Sequence, residues 1–225
     1  MDLIKWVGIT VAVVLQLAII ATLLRGTYRS YPMLFVYMSV SFLSTVASAS
    51  AILGMREWTA YAARVYWICD VLQYVFVFAL QVHMLSQSMS GPASRRRIAY
   101  LIGAGLIFAA LAIWTAHHPR FNLWMTQTIR NFGFGSMILN LALWTTLLRN
   151  PDRCRLMITA AIGMMLAGEA IGHSLRQLAK SLVPFGNIIL IITYLLSLVL
   201  VWRALMRSSA SHANEGPSAA LHPAG

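Results

Sequence analysis

Four ionisable residues interrupt otherwise apolar stretches of the sequence: Asp70, Arg130, Glu169 and His173. Side chains of these types can pair with one another, bind a ligand or an ion, or pass a proton. If the stretches cross a bilayer, each charge costs roughly 2.5–3.5 kcal/mol on insertion scales. Residues that carry such a cost are candidate functional groups, so we next consider their neighbours on each predicted helix.

Polar residues extend these positions along helical faces. In the third apolar stretch the spacing of Tyr66, Asp70, Gln73 and Tyr74 is i, i+4, i+7 and i+8, which is one face of a helix. At a rise of 1.5 Å per residue, the depths of the four ionisable residues below their helix ends predict that all four lie in the same half of the bilayer. We therefore predict a ligand-binding or ion-pair pocket, with a smaller polar stripe on the second helix. The pocket residues are Asp70, Arg130, Glu169, His173, Tyr66, Gln73, Tyr74 and Asn131, and the stripe is Ser41, Ser44, Thr45 and Ser48.

Three roles remain open for this pocket. Arg130 can pair with Asp70 or Glu169 and hold the helices together, the pocket can bind a ligand or ion, or its carboxyl groups can relay protons. Two carboxylates against one arginine leave a surplus negative charge, so we expect a held proton or a bound cation.

The composition sets the class of protein. Of 225 residues, 59% are hydrophobic and only 10% are charged, and the mean hydropathy is +0.72. Soluble domains are about 25% charged, so a soluble enzyme is excluded. Two cysteines without a CxxC or Cys/His spacing give no disulfide framework.

Seven apolar stretches predict an all-α bundle of seven transmembrane helices over residues 1–207. Short polar or glycine- and proline-containing breaks separate the stretches, and the first is read as a retained helix rather than a signal peptide. The tail, 208–225, is rich in Ser, Ala, Gly and Pro and is expected to be disordered in the cytoplasm. The helices are expected at about 4–24, 31–53, 59–86, 98–116, 123–148, 156–177 and 182–204.

The sequence has a net charge of +11, and its Lys and Arg residues are more numerous in one alternate set of breaks than in the other. The positive-inside rule then predicts an outside N-terminus and a cytoplasmic C-terminus in the inner (plasma) membrane. The basic residues are expected to contact anionic lipids, not nucleic acid. One set of breaks holds Arg25, Arg29, Arg95–Arg97, Arg149, Arg153, Arg155, Arg203 and Arg207, and the other holds Lys5, Arg56, Arg120, Arg176 and Lys180.

Known membrane chemistries match poorly, so we predict no cofactor, no metal and no catalytic residue. The seventh helix has no lysine for a retinal Schiff base, and His83 and His173 lie at different depths, which excludes a shared haem. A zinc site would need further histidines beside His173. The glycines of the fourth and sixth helices are read as sites of close helix packing: Gly103, Gly105, Gly163, Gly168 and Gly172.

The segment Tyr66-Trp67-Ile68-Cys69-Asp70 resembles a Tyr-Trp-Ile-Ser-Glu stretch in a group of uncharacterised bacterial seven-helix membrane proteins. Those proteins also have an arginine early in the fifth helix and a glutamate in the sixth, which match Arg130 and Glu169. The resemblance implies the fold but no ligand, because the group has no established activity.

The sequence therefore predicts a sensor-like or ligand-binding membrane protein. Since the helices use most of the chain, a sensor would signal through a cytoplasmic or membrane protein partner. Two other functions remain open: a small solute or proton-coupled transporter, and a non-catalytic structural subunit of a membrane complex.

Overall fold

The chain is all-helical throughout the part described by the computed structural model, which is residues 2–53, 60–88, 92–115, 121–149 and 152–215. These ranges contain seven α-helices and no strand. The helices are α1 Asp2–Leu24, α2 Pro32–Leu53, α3 Ala60–Ser88, α4 Pro92–Thr115, α5 Phe121–Arg149, α6 Arg153–Leu178 and α7 Val183–Glu215, with short 3-10 helices at Thr27–Arg29 and Lys180–Leu182.

Among the described residues, six spans are long and apolar enough to cross a membrane. They lie in α1, α2, α3, α5, α6 and α7, at Trp6–Leu24, Pro32–Ala51, Ala63–Ser88, Gln127–Arg149, Arg153–Leu178 and Lys180–Ser208. Large apolar side chains point outward from several of them, such as Leu43 at 63% exposure and Leu141 at 65%. Such a surface suits lipid rather than water, which indicates a multi-pass membrane protein.

The six helices pack as a closed ring. Contacts run from α1 to α2, α2 to α3, α3 to α5, α5 to α6, α6 to α7 and from α7 back to α1. The remaining helix, α4, packs outside this ring against α3 and α5. The ring surrounds a central space toward which polar side chains can turn without facing lipid.

Glycines set the closest contact in the ring, between α6 and α7. A methyl group added at Gly172 would lie 2.6 Å from Leu190 Cγ and 3.0 Å from the carbonyl oxygen of Gly186. Gly168 is covered in the same way by Thr193. The small residues of α6 therefore let the two backbones approach, as the sequence predicted. In contrast, Gly103 of α4 has nothing within 4 Å of such a methyl group, so the packing role expected there is wrong.

The starts of α2 and α6 and the end of α7 lie at one end of the bundle. Tyr31 hydrogen-bonds to Cys154, Cys154 Sγ lies 3.6 Å from the carbonyl oxygen of Ala204, and Arg207 Nη1 lies 3.8 Å from Met157 Sδ. We call this the basic end. The arginines that flank these helix ends are Arg25, Arg29, Arg149, Arg153, Arg155, Arg203 and Arg207.

Several helix limits differ from those expected. Helix α4 begins at Pro92, a residue favoured in the first turn, so Arg95–Arg97 lie within the helix and not in a break. Helix α7 continues to Glu215, into the tail expected to be disordered from Ser208. The expected break at Gly54–Trp58 and the remainder of the tail, 216–225, lie outside the described residues.

The contact between α6 and α7 can be tested with two matched glycine variants. Gly172→Ala forces a methyl group against Leu190 and Gly186 and should cost about 1–3 kcal/mol by overpacking. Gly103→Ala places the same group in open space and should not lower stability. The check is the thermal unfolding midpoint of each purified variant in detergent, and equal midpoints would contradict the close contact.

Candidate functional site

A cavity of about 350 Å³, which we call the central cavity, is lined by residues of α1, α2, α3, α6 and α7. Its wall includes six of the eight residues predicted for the pocket. Helix α3 supplies Tyr66, Asp70, Gln73 and Tyr74, and α6 supplies Glu169 and His173. Hydroxyl groups of the predicted α2 stripe complete one side, at Ser44, Thr45 and Ser48.

A second cavity, of about 380 Å³, lies between α3, α5 and α6, and we call it the side cavity. It is lined by the other two predicted residues, Arg130 and Asn131. Tyr74, Glu169 and His173 line both cavities. The eight predicted residues therefore surround two adjoining spaces that are separated by three shared side chains.

Each carboxyl group of the central cavity forms a hydrogen bond with a tyrosine hydroxyl. The Tyr74 hydroxyl donates to Glu169 Oε2 across the contact between α3 and α6. The Tyr66 hydroxyl hydrogen-bonds to Asp70, one turn along the same helix. The Tyr74 ring packs against Gly133 of α5, where an added methyl group would lie 3.4 Å from the ring.

The arginines do not pair as expected. Arg130 is exposed, and its Nη1 donates to Gln177 Oε1 at 3.1 Å. Within the described ranges, neither Asp70 nor Glu169 forms an ion pair; the salt bridge observed there joins Asp152 and Arg155 at the start of α6. The anticipated pairing of Arg130 with either carboxylate is therefore not formed, because the Arg130 side chain turns to the end of α6.

A different arginine lies beside the carboxylates. Arg176 lines the central cavity and interacts electrostatically with Asp70. Its stem lies against Gly186 of α7, where an added methyl group would be 2.9 Å from Arg176 Cγ. Counting Arg176 with Arg130, the two cavities hold as many arginines as carboxylates. The central cavity alone still holds two carboxyl groups against one arginine, so the expected held proton or bound cation stays a prediction.

A hydrogen-bond network adjoins the central cavity, whose lining includes two of its members, Thr45 and Tyr194. Gln16 Nε2 of α1 lies 2.6 Å from the Tyr194 hydroxyl, 3.0 Å from Ser41 Oγ and 3.2 Å from Thr45 Oγ1, as a hydrogen-bond donor. The Ser41 and Tyr194 hydroxyls are 2.9 Å apart. Gln16 is fully buried, and its Oε1 has no hydrogen-bond partner among the described residues. Gln16 and Tyr194 were not predicted; the one sequence feature that points to the network is a lone amide in a very apolar helix.

The ionisable groups that line the central cavity do not cluster at one point. In the described part of the chain, no three His, Cys, Asp or Glu residues are grouped closely enough to hold a metal. Asp70, Glu169 and His173 thus line one cavity without converging on one point. A cavity of this volume, with a few polar groups in an apolar wall, is typical of sites for small molecules.

Comparisons with protein-family models, with curated proteins and with solved structures found no match. The resemblance of the Tyr66–Asp70 segment to uncharacterised seven-helix proteins therefore stays a prediction.

This hydrogen-bond network can be tested by removing single hydroxyl groups. Tyr194→Phe removes one hydrogen-bond partner each from Gln16 and Ser41 and should lower the free energy of unfolding by about 0.6–2 kcal/mol. Tyr37→Phe is the matched control, because the hydrogen-bond partner of that buried hydroxyl within the described ranges is the weak acceptor Met165 Sδ, at 3.5 Å. The measurement is unfolding in detergent monitored by tryptophan fluorescence. Equal losses in the two variants would argue against the network.

Proposed function

We propose that this protein is a receptor-like, ligand-binding protein of the inner (plasma) membrane, with seven spans and a polar pocket in the outer half of the bundle. The observation that carries the proposal is the central cavity. It lies between five helices of the ring and is lined by two carboxyl groups without an ion-pair partner among the described residues. Buried carboxylates are costly, and a cavity large enough for a small molecule is more than packing requires.

The seventh span in this proposal is α4. Its stretch 98–115 contains no Asp, Glu, Lys or Arg and is long enough for the hydrocarbon core. Seven spans place the two termini on opposite sides of the membrane. The arginines of the basic end favour the cytoplasmic side for that end, where they can contact anionic lipids.

With this orientation the ionisable residues of the central cavity face the outer half of the membrane. Asp70 lies in the first part of α3, and Glu169, His173 and Arg176 lie in the last part of α6. A ligand would enter from outside, and the signal would leave through a protein partner bound at the basic end.

The proposed topology predicts opposite locations for the termini. Green fluorescent protein fused after Gly225 should fluoresce, because this reporter folds in the cytoplasm. An N-terminal epitope tag should be labelled in intact spheroplasts. The control is the same tag at the C-terminus, which should be labelled only after permeabilisation. Two termini on one side would show an even number of spans and would remove α4 from the bilayer.

The proposed pocket predicts a ligand that stabilises the protein through Glu169. We expect at least one small polar solute, screened among amino acids, amines, organic acids, sugars and nucleosides, to raise the unfolding midpoint. A solute at 100 times its Kd adds about 2.7 kcal/mol to stability. Glu169→Gln should lose this shift, whereas Asp152→Asn, which alters a carboxylate outside both cavities, should keep it.

Flux and stability measurements separate the other two functions. Proteoliposomes that take up the stabilising solute, and fail to do so with Glu169→Gln, would indicate a carrier instead of a receptor. Asp70→Asn and Arg130→Gln variants that lose stability together, with no solute effect in the wild-type protein, would indicate a structural subunit.

A further inference from the structure

The charges of the central cavity are arranged in a sequence along α6. Glu169, His173 and Arg176 are separated by about one helical turn each, and all three line the cavity. Asp70 of α3 joins Glu169 at the acidic part of this series. The cavity therefore has a negative region toward the middle of the bundle and a positive group nearer the start of α3 and the end of α6.

The negative region has free capacity to accept hydrogen bonds. A carboxylate has about four acceptor positions. Among the described residues, Asp70 and Glu169 each accept one hydrogen bond from a tyrosine. Tyr66 and Tyr74 add aromatic rings to the same wall. Two carboxylates with nearby aromatic rings are suited to an ammonium group, which donates three hydrogen bonds and is attracted by ring faces.

The aliphatic stem of the positive group, Arg176, lies against α7, and its side chain is exposed. Gly186 leaves space for the Arg176 stem, with Cγ 2.9 Å and Cδ 3.6 Å from the position of an added methyl group. A guanidinium that lines a cavity can bind a carboxylate through two parallel hydrogen bonds. Its attraction to Asp70 acts across the cavity, since the two form no ion pair in the described structure.

We propose that the ligand is a small zwitterion whose ammonium group binds between Asp70 and Glu169 and whose acidic group binds Arg176. This proposal rests on the proposed function and specifies the chemical class of its ligand. A zwitterion replaces one attraction across the cavity with two short charged contacts, and it leaves the net charge of the site unchanged. The hydroxyls of Ser48, Thr45 and Tyr194 line the space between and can bind polar groups of the ligand.

The test uses the full chain in nanodiscs and matched probes. The zwitterions are glycine, 4-aminobutanoate and 6-aminohexanoate, and the comparison compounds are n-butylamine, which lacks the acid, and butanoate, which lacks the amine. We expect at least one zwitterion to bind at least about tenfold more tightly than butylamine, and butanoate not to bind. Binding is followed by the unfolding midpoint and by calorimetric titration.

Variants assign the two ends of the ligand. Glu169→Gln should weaken binding of both the zwitterion and butylamine by about tenfold. Arg176→Gln should weaken the zwitterion to the level of butylamine and leave butylamine unaffected. Arg203→Gln is the matched arginine control, because Arg203 is exposed near the far end of α7, and it should change neither. If Arg176→Gln does not fold, Arg176→Lys, which keeps the charge but loses the two-pronged contact, should weaken the zwitterion selectively.

The failures are distinguishable. Equal binding of butylamine and every zwitterion would overturn the proposal that the ligand is a zwitterion. An unchanged zwitterion affinity in a folded Arg176 variant would overturn it too. A sugar or organic acid that stabilises the wild type but not Glu169→Gln would also overturn it, while the pocket itself would stand. If no compound of any class produces a shift that depends on Glu169, both proposals fail.

Discussion

The close contact between α6 and α7 is the constraint on which the site depends. Gly168 and Gly172 are each followed by a residue of the site, Glu169 and His173, so the spacing that packs the helices also spaces the ionisable groups. Because the glycine face is held against Thr193 and Leu190, the neighbouring face must turn toward the interior of the ring. A side chain at either glycine would separate the helices and rotate both groups away from α3. Packing and chemistry are thus encoded by adjacent residues of the same helix.

The same contact accounts for the arginine. Gly186 is the partner of Gly172 across the interface, and it also leaves the space in which the Arg176 stem lies. Arg130 instead donates to Gln177 near the end of α6. Both arginines are exposed, and each lines one of the cavities, Arg176 the central cavity and Arg130 the side cavity.

The dependence of the site on the contact between α6 and α7 limits what could be predicted from the sequence. Helical periodicity on α3 and α6 was sufficient to bring Asp70, Tyr74 and Glu169 to one cavity, because one face of an apolar helix was polar in each case. Helical periodicity does not say which side chains of different helices form pairs. The spacing of Arg176 places it on the same face of α6 as Glu169 and His173, but its position near a helix end also suits topogenic charge, and its contact with Gly186 is visible only in three dimensions. Gln16 and Tyr194 were missed for a related reason, since single polar residues give no periodic pattern.

The shared wall between the two cavities gives the site a second property. Tyr74 and Glu169 are joined by a hydrogen bond, and both side chains line the central and side cavities. An ammonium group bound to Glu169 would compete for acceptor positions of the carboxylate that Tyr74 now uses. The Tyr74 ring also packs against Gly133 of α5, one helical turn from Arg130, and α5 extends to Arg149 at the basic end. Under the proposed function, α5 therefore has one end at the side cavity and the other at the proposed partner surface. Sensing of the ligand by this route requires that α5 have two positions and that occupancy select between them.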